Sequence, residues 1–541
     1  MNAYHRCSLL IAIALLVGLL SLAGPVAADY ADYVYVPPAK SWEAHSAMPK
    51  AQAAHYLKQT FPRRVYTQYA GKNAALQAQA RRYPAPLVAM GHAVNLNAHE
   101  CFGPAIAEAE DRCFLAGIAS EGALAIRLRV DLSGLLDGET LWQIDPTGPR
   151  AFGPFTAAHA DDEGVWLPTV LGDTALLVLR TTGDALPMLY IEGLSHFFTL
   201  FDDNAEKALP CPIPANCETD AAFHEVSTGV AMLIIAEGTF NQVQCSGALL
   251  NSLMGNGLQP YLLTANHCFS DNPRPNQIDV VWDYRAAQCN GSGAPALSQT
   301  PRSSGVSFLA KDALLDAVLV RLDDAPVAAL GRAWFGWDTR APAVGSAVMS
   351  NHHSSGTPLK FAYGLVTAIN VRACLDLLCT RPVYQQTTAR WSEGITEGGS
   401  SGAPLVSYDG SYRILGMLSN GSIHDCDTPE TNIDNFASFR AFYQQIGCYL
   451  KEGRICSPSN TGTDGLCVLS KAFGGSARAL EGFRVLRDKA LLSFDMGRDF
   501  VAWYYRLSPG MARMLDRSAD TRAAFAAYTA PIAALGLCFE E

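Results

Sequence analysis

Three short segments in a fixed order constrain this chain more than any other feature of its 541 residues. The first, Leu262-Leu263-Thr264-Ala265-Asn266-His267-Cys268, reads as a strand running into a His-Cys pair. The second sets Asp316 at the mouth of the apolar run Ala317 to Leu322, and the third, Glu397-Gly398-Gly399-Ser400-Ser401-Gly402-Ala403-Pro404-Leu405, is a glycine-rich turn around two serines. Singly each is ordinary, since a serine among glycines is usually a turn and a His-Cys pair is usually structural. Together they supply what acyl transfer from an amide requires. A serine hydroxyl is a weak nucleophile until an adjacent imidazole takes its proton, and that imidazole needs a fixed carboxylate on its other nitrogen.

The expected set is therefore Ser401 as nucleophile, His267 as general base and Asp316 as the orienting acid, with the backbone N–H groups of Gly399 and Ser401 converging on the developing oxyanion. Gly402 is expected to leave room for substrate. Asp312 competes with Asp316 for the acid's place, and Asp316 is preferred because it directly precedes the strand. His352 and His353 lack the strand-His-Cys context and are expected to be structural histidines near the rim of the site. The rival readings are a binding or adhesion protein on an inactive scaffold, against which an intact triad speaks, and an esterase.

The rest of the chain sets the context. Its length exceeds a single hydrophobic core and predicts two to four folded units. With 49% hydrophobic and 17% charged residues, long disordered tails are not expected. A formal net charge of −11 without a dense Lys/Arg run disfavours nucleic acid or an anionic membrane as partner. A basic head, an apolar stretch from Leu9 to Leu22 and small residues ending at Ala28 read as a secretory signal over residues 1–28. No later segment is long and apolar enough for a membrane span. Of 15 cysteines, Cys7 lies in that signal and an even set remains, which in an oxidising compartment suits disulfides; no C-x-x-C spacing suggests a metal, and no cofactor is implied.

Residues 29–205 carry an alternating run in which Ile126, Leu128, Val130 and Leu132 interleave with Arg127, Arg129 and Asp131, a strand with one wet face. This region reads as a small β-rich domain after an irregular or helical arm, with Cys101 and Cys113 expected to staple a loop. Residues 206–456 have the many short β runs of an all-β barrel fold. Residues 457–541 open on a Ser/Asn/Thr/Gly linker and turn to helical periodicity, with Leu480, Phe483, Leu486, Ala490 and Leu491 on one face.

Thr264-Ala265-Asn266-His267-Cys268 resembles the T-A-A-H-C motif of trypsin-like serine peptidases, and Gly399-Ser400-Ser401-Gly402-Ala403-Pro404 resembles their G-D-S-G-G-P. The similarity is closer to the bacterial lysyl endopeptidase branch, through Thr396 to Pro404, Cys245-Ser246-Gly247-Ala248-Leu249-Leu250, and His352-His353 followed by Gly356 and Lys360. The resemblance spans Cys211 to about Cys448. It implies a mainly β, two-barrel protease domain acting on proteins or peptides, and the bridges Cys245–Cys268, Cys211–Cys426 and Cys217–Cys289. Cys467 to Ser476, with the Arg-rich segment after it, resembles a bacterial C-F-I-A-T-A-A-Y-G-S helical module, which implies no chemistry; Cys467–Cys538 could tie its ends.

The resemblance breaks in two places. Animal trypsins carry an Asp just before the nucleophile, which pairs with the new N-terminus on activation; Ser400 stands here instead. Trypsins also place an acid six residues before the nucleophile, where this chain has Ile395. In the lysyl endopeptidase branch the acid of the specificity pocket lies downstream, and Asp434-Asn435-Phe436 resembles that segment, which makes Asp434 the candidate partner of a substrate Lys or Arg. The same alignment sets Ser419 at the branch's pocket-edge histidine. Glu206-Lys207-Ala208 precedes Cys211 where a mature enzyme would begin, so cleavage after Lys207 and a mature start at Ala208 are expected.

Overall fold

The computed structural model of the chain describes residues 29–452 apart from 39–47, 81–86, 109–110, 149, 161–163, 200–210, 254–257, 270–276, 290–292, 324–330, 377–378, 423–424, 427 and 429–430, and beyond residue 452 only residues 523 and 526. The signal segment, the Lys207–Ala208 bond, Cys467, Cys538 and all of the helical module except residues 523 and 526 lie outside the described residues. Contacts divide the chain into two units, Ala31–Trp337 with Ala341–Phe442, and Met1–Tyr30 with Asp338–Arg340 and Tyr443–Glu541. In the latter, Asp29 accepts hydrogen bonds from Lys451 Nζ at 2.7 Å and from the Tyr443 hydroxyl at 3.2 Å. The former carries all three motifs and is mainly β.

Its first strands are β1 (Leu87–Asn97), β2 (Asp111–Ser120), β3 (Ala125–Asp131), β4 (Thr140–Ile144), β5 (Thr174–Thr181) and β6 (Tyr190–Phe197). β5 pairs antiparallel with both β2 and β4, while β6 lies between β1 and β3 in a second sheet. Phe114, Ala116 and Ile118 of β2 pack across from Ile126, Leu128 and Val130 of β3, so the two sheets face each other over an apolar core. Strand parity separates Cys101 from Cys113. Cys101 packs with Phe114 and Ala116, whereas Cys113 and Leu115 point to the other face among Met48, Ala53, Tyr56 and Trp142. Both cysteines are buried free thiols, and the expected staple between them is not formed.

On the face of β3 expected to be wet, Arg129 and Asp131 stay partly exposed but Arg127 is covered. Arg127 is 1% exposed; its Nε donates to Leu167 O at 2.9 Å, and its Nη1 to Gln242 Oε1 at 2.8 Å and Gln277 O at 3.1 Å. A planar guanidinium buried against fixed acceptors tolerates this where a free charge would not. What covers it is the next set of strands.

Those strands are β7 (Val230–Glu237), β8 (Asn241–Leu249), β9 (Tyr261–Thr264), β10 (Ile278–Val281), β11 (Val306–Asp312) and β12 (Ala317–Leu322). They run in the spatial order β10, β7, β8, β9, β12, β11, and β1 joins the same sheet by pairing Ala89 with Gln242 and Leu87 with Val243 of β8. A further set follows: β13 (Ala347–His352), β14 (Lys360–Cys374), β15 (Pro382–Glu393), β16 (Pro404–Ser407), β17 (Arg413–Gly421) and β18 (Ile433–Ser438). Their order β17, β16, β13, β14, β15, β18 returns to β17 through a β17–β18 pairing, which closes a six-stranded barrel. The His267 turn leaves β9, Asp316 enters β12, and the Ser401 loop joins β15 to β16, so side chains from both sheets meet at one point.

Candidate active site

His267 lies in the single helical turn Asn266–Cys268, and the Cys245–Cys268 bridge ties that turn to β8. Its backbone N–H donates to Asp316 Oδ1 at 2.7 Å, its Nδ1 to Asp316 Oδ2 at 2.7 Å, and its Nε2 is 2.8 Å from Ser401 Oγ. With Nδ1–H spent on the carboxylate, Nε2 is left to accept the serine proton. Asp316 is fully buried and sits at φ 65, the left-handed region that Asp tolerates better than most residues. Asp312 instead accepts from the N–H groups of Leu314 and Leu315 and builds the turn that delivers Asp316.

A third donor reaches the acid. Ser419 Oγ donates to Asp316 Oδ2 at 2.7 Å, so this residue supports the carboxylate. Nothing in the sequence around Ser419 marks that role; only the strand that carries it to the other sheet's acid does. Each oxygen of Asp316 is thereby held, and the imidazole faces an acceptor that cannot swing away.

Gly399 has φ 92 and Gly402 φ 82, both in the region that favours glycine. Neither the Gly399 nor the Ser401 N–H has a hydrogen-bond acceptor among the described residues, so two amides beside the hydroxyl remain available. Gly402 is small for another reason than expected. A Cβ there would lie 2.1 Å from Thr264 Oγ1 and 2.4 Å from Ser246 O, so the space is taken by the strand under the loop rather than left for substrate.

Asp434 is fully buried, and its Oδ2 accepts from Trp391 Nε1 at 2.5 Å and Thr396 Oγ1 at 2.6 Å. It pairs across the sheet with Gly421, two residues along β17 from Ser419, and a side chain on Gly421 would meet Asp434 Oδ1 at 1.9 Å. Two residues of extended strand span ~7 Å, which is how far along β17 the Gly421–Asp434 pair lies from Ser419. Ile395 is buried and contributes no charge there.

The structure joins Cys211 to Cys426, Cys217 to Cys289 and Cys245 to Cys268, and adds a short Cys374–Cys379 bridge that sequence reading missed. His352 and His353 are buried behind the nucleophile loop rather than set on its rim. His353 stacks on Tyr284, donates from Nδ1 to Thr357 O at 3.0 Å, and burial pushes its pKa down to about 4. The unfolded chain takes up this proton below about pH 6.5, and the folded chain only near the lower value. Stability is therefore fully present above about pH 6.5 and declines as pH falls toward 4, by up to ~3 kcal/mol from this residue at ~1.4 kcal/mol per unit. Denaturant midpoints measured from pH 7 to 4 should show the decline, and His353→Gln should flatten it.

Residues 205–437 match the family described as lysyl endopeptidase, C-terminal domain. A lysyl endopeptidase of Pseudomonas aeruginosa is 28% identical over 352 residues, covering 61% of this chain and 74% of that protein. The chain is a trypsin-like serine endopeptidase. Among solved structures, the active form of the Rv3671c protease from M. tuberculosis overlaps 44% of the peptidase and 88% of its own chain, at 13% identity and a TM-score of 0.30. The HtrA-type protease AlgW with tripeptide overlaps 43% of the peptidase and 64% of its own chain, at 14% identity and a TM-score of 0.30. No helix among the described residues of the peptidase is long and apolar enough to cross a membrane.

Proposed function

We propose that the chain is exported and cuts polypeptides on the carboxyl side of lysine through a Ser401-His267-Asp316 triad. Ser401 Oγ attacks the scissile carbonyl carbon as its proton passes to His267 Nε2, and the resulting imidazolium is held by Asp316. The oxyanion takes hydrogen bonds from the Gly399 and Ser401 amides. Collapse of the tetrahedral species returns the proton to the leaving amine and leaves an ester on Ser401, which water then cleaves by the same route. The observation that carries this reading is the 2.8 Å contact between Ser401 Oγ and His267 Nε2, with the opposite ring nitrogen 2.7 Å from a buried carboxylate.

Lysine preference rests on Asp434, buried beside Gly421, and on similarity to a protein named for lysyl cleavage. Lysine suits such a site because its compact ammonium rides on a flexible four-carbon stem. Export rests on the signal-like residues 1–28 and on the disulfides Cys211–Cys426, Cys217–Cys289, Cys245–Cys268 and Cys374–Cys379 among the described residues. In this reading residues 29–205 form an accessory or pro region, removed by cleavage after Lys207, and residues 206–456 form the catalytic part.

Cleavage-site profiling of a peptide library tests the substrate class. Cuts after lysine that vanish with Ser401→Ala are the expected result. Cuts spread over uncharged residues would remove the lysine assignment and leave the peptidase. N-terminal sequencing of the secreted protein should give Ala208.

A further inference from the structure

Groups outside the nucleophile loop fix its peptide planes. The Gly398 carbonyl accepts from the Ser355 N–H at 2.5 Å, and the Gly399 carbonyl accepts from Gln244 Nε2 at 3.2 Å and Ser246 Oγ at 3.0 Å. The Ser400 carbonyl accepts from the Ala403 N–H at 2.9 Å. A trans peptide directs its N–H opposite its C=O. Anchoring the Gly398 and Ser400 carbonyls therefore fixes where the Gly399 and Ser401 amides point, and anchoring the Gly399 carbonyl holds the residue between them.

The anchors are themselves held. Gln244 is wholly buried on β8, and its Nε2 also reaches His353 O at 2.9 Å and Cys245 O at 3.1 Å. Ser246 Oγ receives the His353 N–H at 3.0 Å, so Gln244 and Ser246 both bridge the first sheet to the end of β13. Ser355, which holds the Gly398 carbonyl, sits in the left-handed region at φ 50, a conformation costly for serine unless its surroundings impose it. Ser400, which replaces the trypsin acid, receives the Glu397 N–H at 3.2 Å and lies 2.9 Å from His352 Nδ1. A Cβ on Gly399 would fall 1.8 Å from Gln244 Oε1, an oxygen with no hydrogen-bond partner among the described residues.

We propose that Gln244 and Ser246 are positioning residues for the oxyanion site: from a buried strand of the first sheet they clamp the Gly399 carbonyl and so keep the two flanking amides turned toward substrate. This rests on Ser401 being the nucleophile. Neither side chain touches the reacting atoms; both act through the loop.

The test uses the purified secreted protein with Gln244→Leu, which keeps an apolar body and removes the donor, and with Ser246→Ala. Removing an oxyanion donor outright lowers kcat ~10²–10³-fold, so misdirected donors should lower it roughly tenfold or more. KM for a lysyl peptide should stay within about threefold. Affinity for a peptidyl-lysine aldehyde, which forms a tetrahedral adduct, should fall in step with kcat. Affinity for the matching reduced-amide peptide, which has no carbonyl to attack, should hold. An unchanged kcat in both variants overturns the proposal, as does an equal loss of affinity for aldehyde and reduced amide, which would mark general damage. Should Gln244→Leu not fold, Ser246→Ala is read by the same criteria. A wild type that binds the reduced-amide peptide but makes no adduct with the aldehyde would instead remove the Ser401 assignment, and this proposal with it.

Discussion

Asp316→Asn should leave the fold and substrate affinity close to wild type while kcat falls about 10⁴-fold, the scale expected of a triad forced into the wrong tautomer. The two oxygens of Asp316 accept three hydrogens, one from the His267 N–H on Oδ1 and two, from His267 Nδ1 and Ser419 Oγ, on Oδ2. An amide cannot reproduce that set. If its NH₂ faces the imidazole, Nδ1 must become the acceptor and the ring proton moves to Nε2, where it can no longer take one from Ser401. If its NH₂ faces the His267 backbone N–H, two donors oppose each other. Ser419→Ala removes only one of the three donors and should cost kcat less than about tenfold, since a single hydrogen bond is worth ~1 kcal/mol. Single-turnover rates for both variants, with ¹⁵N spectra of the His267 ring, separate the two effects. A full-speed Asp316→Asn enzyme would mean that another group orients the imidazole.

The second large effect is expected at Asp434. Asn in its place should lower kcat/KM for lysyl peptides about 10²- to 10⁴-fold, because removing one partner of a buried ion pair costs ~3–5 kcal/mol. Peptides with an uncharged residue at the cleavage point should be little affected. The Trp391 and Thr396 donors that reach Oδ2 can still find the Asn oxygen, so collapse of the site is not the expected cause of the loss. An unchanged lysine preference would make Asp434 a structural acid whose work is to hold those two side chains.

Much of this site was legible in the sequence because its parts are local. A strand that ends in His267-Cys268, an acid opening an apolar strand and a glycine-rich serine turn each announce themselves within ten residues, and their meeting follows from the order of the segments. What stayed hidden depends on contacts between distant strands. Ser419 supports Asp316 from 103 residues away, and Gln244 reaches Gly399 across 155 residues. Arg127 looked like half of a wet face because alternation reports periodicity, not what packs on it; β7, β8 and β10 bury it. The Cys101–Cys113 staple failed because Cys113 alternates with Phe114 and points away from the core that holds Cys101, a placement set by packing.

The most direct measurement is peptide mapping of the secreted protein after reaction with a lysyl-peptidyl fluorophosphonate. One adduct should form, on Ser401, with labelling slowed by orders of magnitude in His267→Ala although that variant retains the same disulfides. An adduct on a different serine, or labelling that proceeds equally well without the imidazole, would contradict the account at its centre.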